Sequence, residues 1–261
     1  MRPSYQQAPS DRARTVAPVE YAPLRRGAAE FVGAFTLIFI GGGAGIAAGR
    51  FGGFDIVAIA LANGLAIAIM VSNLGHISGG HFNPAITLAF LVTRRIVLSL
   101  ALLYWVAQLA GAIAAAAILR AVYPSILGAV PHAPTTSDGK ALVVEIVLTF
   151  LLVWAVWATA VDIRGAFKSI AGLAIGLTIT MDVFMGGPLT GAAMNPARAC
   201  GPELISNFWG EAWVYWVGPA IGALIAAVAY EYLYLRPARE APVGTAESGV
   251  AEPRPGDTAL S

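Results

Sequence analysis

Charge is scarce in this sequence: Asp, Glu, Lys and Arg make up 12% of its 261 residues, against 57% hydrophobic residues. A soluble domain carries roughly twice that share of charge, so composition excludes an ordinary water-exposed globule. The formal net charge of +1 leaves no basic excess for a nucleic-acid partner. Cysteine is nearly absent, and the single Cys200 can neither close an intrachain disulfide nor build a cysteine-based metal site. No carboxylate or thiol stands at ligand spacing from His76, His81 or His132, so neither a metal nor any other cofactor is expected. Met1 to Arg26 is polar and lacks a short apolar core with a cleavage site, so no secretory signal is expected and the first apolar run directs membrane insertion. Nor does the chain place a nucleophile, a base and an orienting group at a recognisable spacing, which argues against an enzyme.

What the sequence has in abundance is apolar runs. Mean hydropathy is +0.72, and stretches long enough to cross a bilayer lie at Ala28 to Ala48, Ile56 to Leu74, Ile96 to Leu119, Ala141 to Val161, Ile170 to Met185 and Trp213 to Leu235. Six spans result. The ends, 1–26 and 237–261, are rich in Pro, Ala, Glu, Arg and Ser and are expected as disordered tails. With both termini cytoplasmic, the inside collects Arg2, Arg12, Arg14, Arg25, Arg26, Arg94, Arg95, Arg164, Lys168, Arg236, Arg239 and Arg254. The outside keeps only Arg50, Arg120, Lys140 and Arg198. The positive-inside rule favours that orientation and predicts a multi-pass protein of the cell membrane.

The chain also repeats itself. Asn195 follows Asn83 by 112 residues, and the flanking Ile77-Ser78-Gly79-Gly80-His81-Phe82-Asn83-Pro84-Ala85 aligns with Leu189-Thr190-Gly191-Ala192-Ala193-Met194-Asn195-Pro196-Ala197. Gly64-Leu65 matches Gly176-Leu177, and Tyr104-Trp105-Val106 matches Tyr215-Trp216-Val217. Glu30 pairs with Glu145, each with a Phe five residues later. Small residues and Leu recur in any membrane protein, but Asn-Pro-Ala at matched positions does not. Repeat one covers about 27–120 and repeat two about 141–236, joined by an outer loop within a channel domain of 27–236. Each half holds three spans, an odd number, so the second half must be inverted, an arrangement that puts the functional site near the midplane.

Between spans two and three, and again between five and six, lie apolar segments too short to cross: Phe82 to Leu91 and Met194 to Leu204. Such segments are re-entrant half-helices or loops buried in protein. Asn83 and Asn195 suit an N-cap, and Pro84 and Pro196 suit the first helical position, where a missing N–H costs nothing. Gly79-Gly80 and Gly186-Gly187 are expected to allow the tight backbone paths leading in. Inserted from opposite sides, the two half-helices would meet head to head and focus about half a positive charge each at that point. A cation would be repelled there. The free amide N–H groups of Asn83 and Asn195 would donate to a passing water and interrupt a proton wire.

With Gly75-His76-Ile77-Ser78-Gly79-Gly80-His81-Phe82-Asn83-Pro84-Ala85, Gly191-Ala192-Ala193-Met194-Asn195-Pro196-Ala197-Arg198, Glu30 and Glu145 in place, the chain resembles the aquaporin (major intrinsic protein) family from about Arg26 to Leu235. The resemblance implies an all-α membrane fold of six transmembrane helices plus two re-entrant half-helices, assembled as a homotetramer in the lipid bilayer with one pore per subunit. It places the pore midplane at Asn83, Pro84, Ala85, Asn195, Pro196 and Ala197, and gives Glu30 and Glu145 the role of holding the re-entrant loops. It maps the selectivity filter to Asn63, Val183, Ala192 and Arg198, with Arg198 the cation barrier. Strict water channels resemble one another in an aromatic at the first filter position and His at the second. Asn63 and Val183 replace them here, which implies a wider filter passing ammonia as well as water, as in ammonia-permeable members.

Two alternatives remain at this point. A glycerol facilitator of the same family resembles its kin in an Asp after the filter arginine, where this chain has Ala199, and in a proline-apolar pair where it has Tyr215-Trp216. Glu203 fits neither branch. An ion-coupled secondary transporter also uses inverted repeats and broken helices, but it needs an ion site or acidic relay that opposed half-helices and Arg198 disfavour. Asp182 is expected either to line the outer vestibule or to cap span five in water. His76 is expected at the inner mouth, His132 near the filter from outside, and Cys200 as a buried small residue.

Overall fold

The computed structural model describes residues 20–50, 55–123, 132–164 and 170–236. They form six helices long and apolar enough to cross a membrane and two short ones. In chain order these are α1 (Pro23–Gly49), α2 (Ile56–Ser78), α3 (Pro84–Val92), α4 (Leu98–Val122), α5 (Asp138–Val161), α6 (Ala171–Thr190), α7 (Pro196–Ser206) and α8 (Val214–Leu235). Among the described residues there is no strand.

Helix ends follow local chemistry. Helix α1 begins at Pro23, inside the segment expected as a tail to residue 26, because proline is pre-organised for a first helical position. The remainder of the expected tails, 1–19 and 237–261, lies outside the described residues. Asp55 caps α2 by accepting from the Ala58 N–H at 3.0 Å. Helix α6 runs to Thr190, past the expected end at Met185. The backbone turns at Gly191 (φ +80°), and not at Gly186-Gly187, which stay helical and pack on Leu148 and Ile56. Three π-helical turns widen the helices, at Ile38–Gly42 within α1 and at the ends of α5 (Trp157–Val161) and α8 (Glu231–Leu235).

The halves pack about a pseudo-two-fold relation. Gly64 of α2 and Gly176 of α6 face each other so closely that a β-carbon on either would run into the other's backbone carbonyl. Gly111 likewise lets α4 settle on the Phe31 carbonyl of α1, and Gly222 lets α8 settle on the Ile146 carbonyl of α5. Small residues at such crossings let backbones approach where lipid provides no hydrophobic drive for association. The cavity left between the halves holds α3 and α7.

Candidate functional site: the paired half-helices and the passage beside them

Both short helices start on the expected caps. The Asn83 Oδ1 accepts from the Ala85 N–H (2.8 Å), and the Asn195 Oδ1 accepts from the N–H groups of Ala197 (3.0 Å) and Arg198 (3.3 Å). With the oxygens so engaged, the amide nitrogens point at the opposite loop. Asn83 Nδ2 donates to the Met194 carbonyl at 2.8 Å, and Asn195 Nδ2 donates to the Phe82 carbonyl at 3.0 Å. The helix N-termini therefore meet, and each amide keeps one N–H for the cavity.

Phe82 and Met194 hold left-handed backbone conformations (φ +50° and +52°), which cost energy for non-glycine residues. Buried glutamates fasten them. Glu30 accepts from Ser78 Oγ (2.6 Å), the His81 N–H (3.0 Å), the Phe82 N–H (2.6 Å) and Gln108 Nε2 (2.8 Å). Glu145 accepts from Thr190 Oγ1 (2.7 Å) and the N–H groups of Ala193 (2.9 Å) and Met194 (2.7 Å). Tyr104 and Tyr215 finish each loop with a hydroxyl on the carbonyls of Ser78 (2.5 Å) and Thr190 (2.8 Å). The left-handed Phe82 and Met194 thus each have their N–H group bound by a buried glutamate, which satisfies irregular backbone away from water. The first loop has an addition without counterpart in the second: Gln108 Nε2 also donates to Thr87 Oγ1 (3.0 Å), which lies 3.1 Å from His81 Nδ1.

A narrow cavity passes the meeting point; Asn63, His81, Asn83, Asn195 and Arg198 line it together with apolar side chains such as Ile67, Val71, Leu152 and Ile179. Beyond Arg198 a wider vestibule opens, lined by Gly41, Gly42, His132, Gly187 and Gly191 among others. Arg198 belongs to both spaces. Its Nη1 donates to the carbonyls of Ala192 and Gly191, the latter at 3.3 Å, which fixes the guanidinium across the passage. Asn63 donates from Nδ2 to the Ile59 carbonyl (2.8 Å), leaving its buried Oδ1 without a protein partner. Ala192 is fully buried and serves through its carbonyl. Val183 is fully buried on α6 and, unlike Asn63 and Arg198, lines neither cavity, so the structure brings only two of the four expected filter residues to the passage wall.

Asp182 does neither of the things expected of it. It is 1% exposed within α6, lines neither cavity, and both carboxylate oxygens lack a hydrogen-bond partner. His76 is exposed at the opposite end, its ring 6.2 Å edge-on from Tyr21. Cys200 is half-buried and free, and Glu203 is buried with Oε2 unpartnered. What sequence reasoning underplayed is His132. Its ring lies on Gly191 and 5.4 Å from the Tyr215 ring, beside Arg198 in the vestibule wall. Burial and then the Arg198 charge push its imidazole well below its ordinary value, so it is neutral at pH 7. The motif-free loop around it carried no signal beyond the histidine itself.

Six spans, two half-helices meeting at their N-termini and a passage running by them define a polytopic membrane channel. A family model described as Major intrinsic protein matches residues 19–230. The chain belongs to this family, the aquaporins. It is 42% identical over 217 residues to "Probable aquaporin TIP-type alpha" of Phaseolus vulgaris, covering 80% of this chain and 85% of the relative. It is equally 42% identical to "Probable aquaporin TIP3-2" of Arabidopsis thaliana, covering 84% and 87%. Among solved structures, the aquaglyceroporin from Plasmodium falciparum superposes with a TM-score of 0.74 at 25% identity, over 81% of this chain and 97% of that one. The protein is a membrane channel and not an enzyme.

Proposed function

We propose that the protein is a passive channel for water and small neutral solutes such as ammonia that excludes protons and ions. It works in the cell membrane as a homotetramer of independent pores with both termini cytoplasmic. The observation that carries the reading is the meeting of α3 and α7 at their N-termini, with Asn83 and Asn195 in the cavity wall. Two helix ends contribute about half a positive charge each, so a cation entering the passage meets repulsion there and again at Arg198. A neutral hydrogen-bonding solute meets instead one amide N–H from each asparagine, and then the Asn63 carbonyl oxygen and the Arg198 guanidinium. With Asn63 and Val183 where strict water channels carry an aromatic and a histidine, and with Val183 withdrawn into α6, the filter admits ammonia.

Glycerol facilitation is the second reading, favoured by the likeness to a solved aquaglyceroporin and opposed by Ala199 and Tyr215-Trp216. Liposomes holding the purified protein separate the two. Osmotic shrinkage in sucrose measures water, the internal pH jump on an ammonium gradient measures ammonia, and re-swelling in glycerol measures the polyol. Water and ammonia flux above empty liposomes, with glycerol at background, is the expected result. Glycerol flux comparable to water would replace the first reading with the second.

A further inference from the structure

Asn63 reaches the passage from α2 and rests on α1. Its side chain is fully buried, and one hydrogen bond holds its amide, from Nδ2 to the Ile59 carbonyl at 2.8 Å. The Oδ1 atom has no partner among the described residues. It lies against Gly41 instead: a β-carbon on Gly41 would overlap Oδ1 and stand 2.6 Å from Asn63 Cγ and 3.0 Å from Nδ2. The amide therefore occupies the place where a side chain at position 41 would be. The π-helical turn that widens α1, Ile38–Gly42, falls at this contact, and single π turns inside α-helices are frequent at functional sites.

The neighbouring glycines of α1 behave differently. A β-carbon on Gly42 or Gly43 would meet only Leu119, at 3.3 and 3.4 Å, and one on Gly45 would meet nothing within 4 Å. Gly41, Gly42 and Gly45 all line the vestibule, and of these Gly41 alone touches Asn63, which lines the narrow cavity. The contact thus sits where the vestibule gives way to the passage.

The backbones on either side have no room to retreat. Gly64, next to Asn63, is pressed on the Gly176 carbonyl of α6, Gly42 abuts Leu119 of α4, and Ile38 is buried beside them. With one hydrogen bond and one orphaned oxygen, the amide is the weakly held member of the contact. A side chain added at position 41 displaces the amide before it displaces a helix, and the open side is the passage that Asn63 already lines.

We propose that Gly41 is a positioning residue for Asn63: its missing side chain leaves the recess that stows the amide against α1, so the size of residue 41 sets the bore where the vestibule enters the passage. The inference rests on the proposed reading of this passage as the conducting path for water.

Water and ammonia fluxes of the full chain in liposomes test it, compared among the wild type, Gly41→Ala, Asn63→Ala and the double substitution. Gly43→Ala is the control, adding the same methyl group two residues on, outside both cavities. Gly41→Ala should cut water flux severalfold, and Gly43→Ala should leave it unchanged. Adding Gly41→Ala to Asn63→Ala should change nothing, because the amide it displaces is gone. If Gly41→Ala folds poorly, Asn63→Ala should restore its recovery, and failure to do so would overturn the proposal. Unchanged water flux in well-folded Gly41→Ala would also overturn it. So would the same fold-loss with and without Asn63, which would assign the effect to the packing of α1. A wild type that passes water and no ammonia would defeat the proposed solute range, while the comparison read on water still decides the role of Gly41. A wild type without water flux would end both.

Discussion

Asn83 and Asn195 each cap their own half-helix with the amide oxygen and tie down the other's loop with the amide nitrogen. One side chain type thereby does three things: it starts a helix, joins two inverted halves and leaves one N–H facing the passage. The proline that follows each asparagine removes a donor that would have had no acceptor.

Replacing either asparagine by alanine removes a cap, about 1 kcal/mol, and an inter-loop hydrogen bond, about 1 kcal/mol more. Each variant should melt earlier in detergent and conduct poorly. Because the two residues share the loop contact, the double substitution should depart from additivity by about 0.5 kcal/mol or more. Thermal midpoints of the four proteins, read by intrinsic fluorescence, check this, and strictly additive shifts would dissociate the two residues.

The close approach of Gly64 and Gly176 leads to a second expectation. Gly64→Ala places its β-carbon against Thr180 Oγ1 and the Gly176 carbonyl, and should cost about 1 to 3 kcal/mol by overpacking. Gly45→Ala is the control: nothing lies within 4 Å of an added β-carbon there, and alanine in a helix gains about 0.5 to 1 kcal/mol over glycine. The first variant should lower the thermal midpoint and the second should leave or raise it.

His132 makes its loop sensitive to acid. Its folded value lies below the ordinary 6.5, so the undocked loop takes up a proton more readily than the docked one. Docking is fully favoured above pH 6.5 and weakens as pH falls below it. The Thr135 N–H, donated to the Leu189 carbonyl at 2.9 Å, reports docking. Its hydrogen-exchange protection should be constant from pH 7 to 8 and fall by pH 5, and His132→Phe should flatten the profile.

Rebuilding the filter of a strict water channel tests selectivity. Asn63→Phe with Val183→His should preserve water flux and depress ammonia flux, since two rings narrow the constriction and the imidazole adds a water-sized hydrogen-bonding site beside Arg198. The added volume costs about 1 to 3 kcal/mol, so recovery of folded protein is measured alongside. An unchanged ammonia-to-water ratio in well-folded protein would remove Asn63 and Val183 from selectivity.

Much of this architecture is legible in residue order because the bilayer leaves few choices: a run of about twenty apolar residues must be a helix, and an Asn-Pro pair before a short apolar run must start one. Glu30 and Glu145 are legible as buried acids in spans, and their partners are the loop N–H groups that must be satisfied somewhere. The end of α6 is not, because Gly186-Gly187-Pro188 reads as a break; neighbouring Leu148 and Ile56 need those glycines small within a continuing helix. The left-handed Phe82 and Met194 are equally hidden, since only the glutamates reaching them from other helices hold that conformation. The burial of Asp182 is not legible either, because spacing along α6 says nothing of how deeply its neighbours enclose it. The docking of His132 depends on a contact nearly sixty residues away in sequence, at Gly191, which no local pattern announces.

The most direct test of the account is simultaneous water and proton permeability of one set of proteoliposomes, with shrinkage followed by light scattering and lumenal pH by an entrapped dye under an imposed pH gradient. The account predicts water flux well above protein-free liposomes, with low activation energy, and a proton leak indistinguishable from theirs. Collapse of the pH gradient in step with water flux would contradict it.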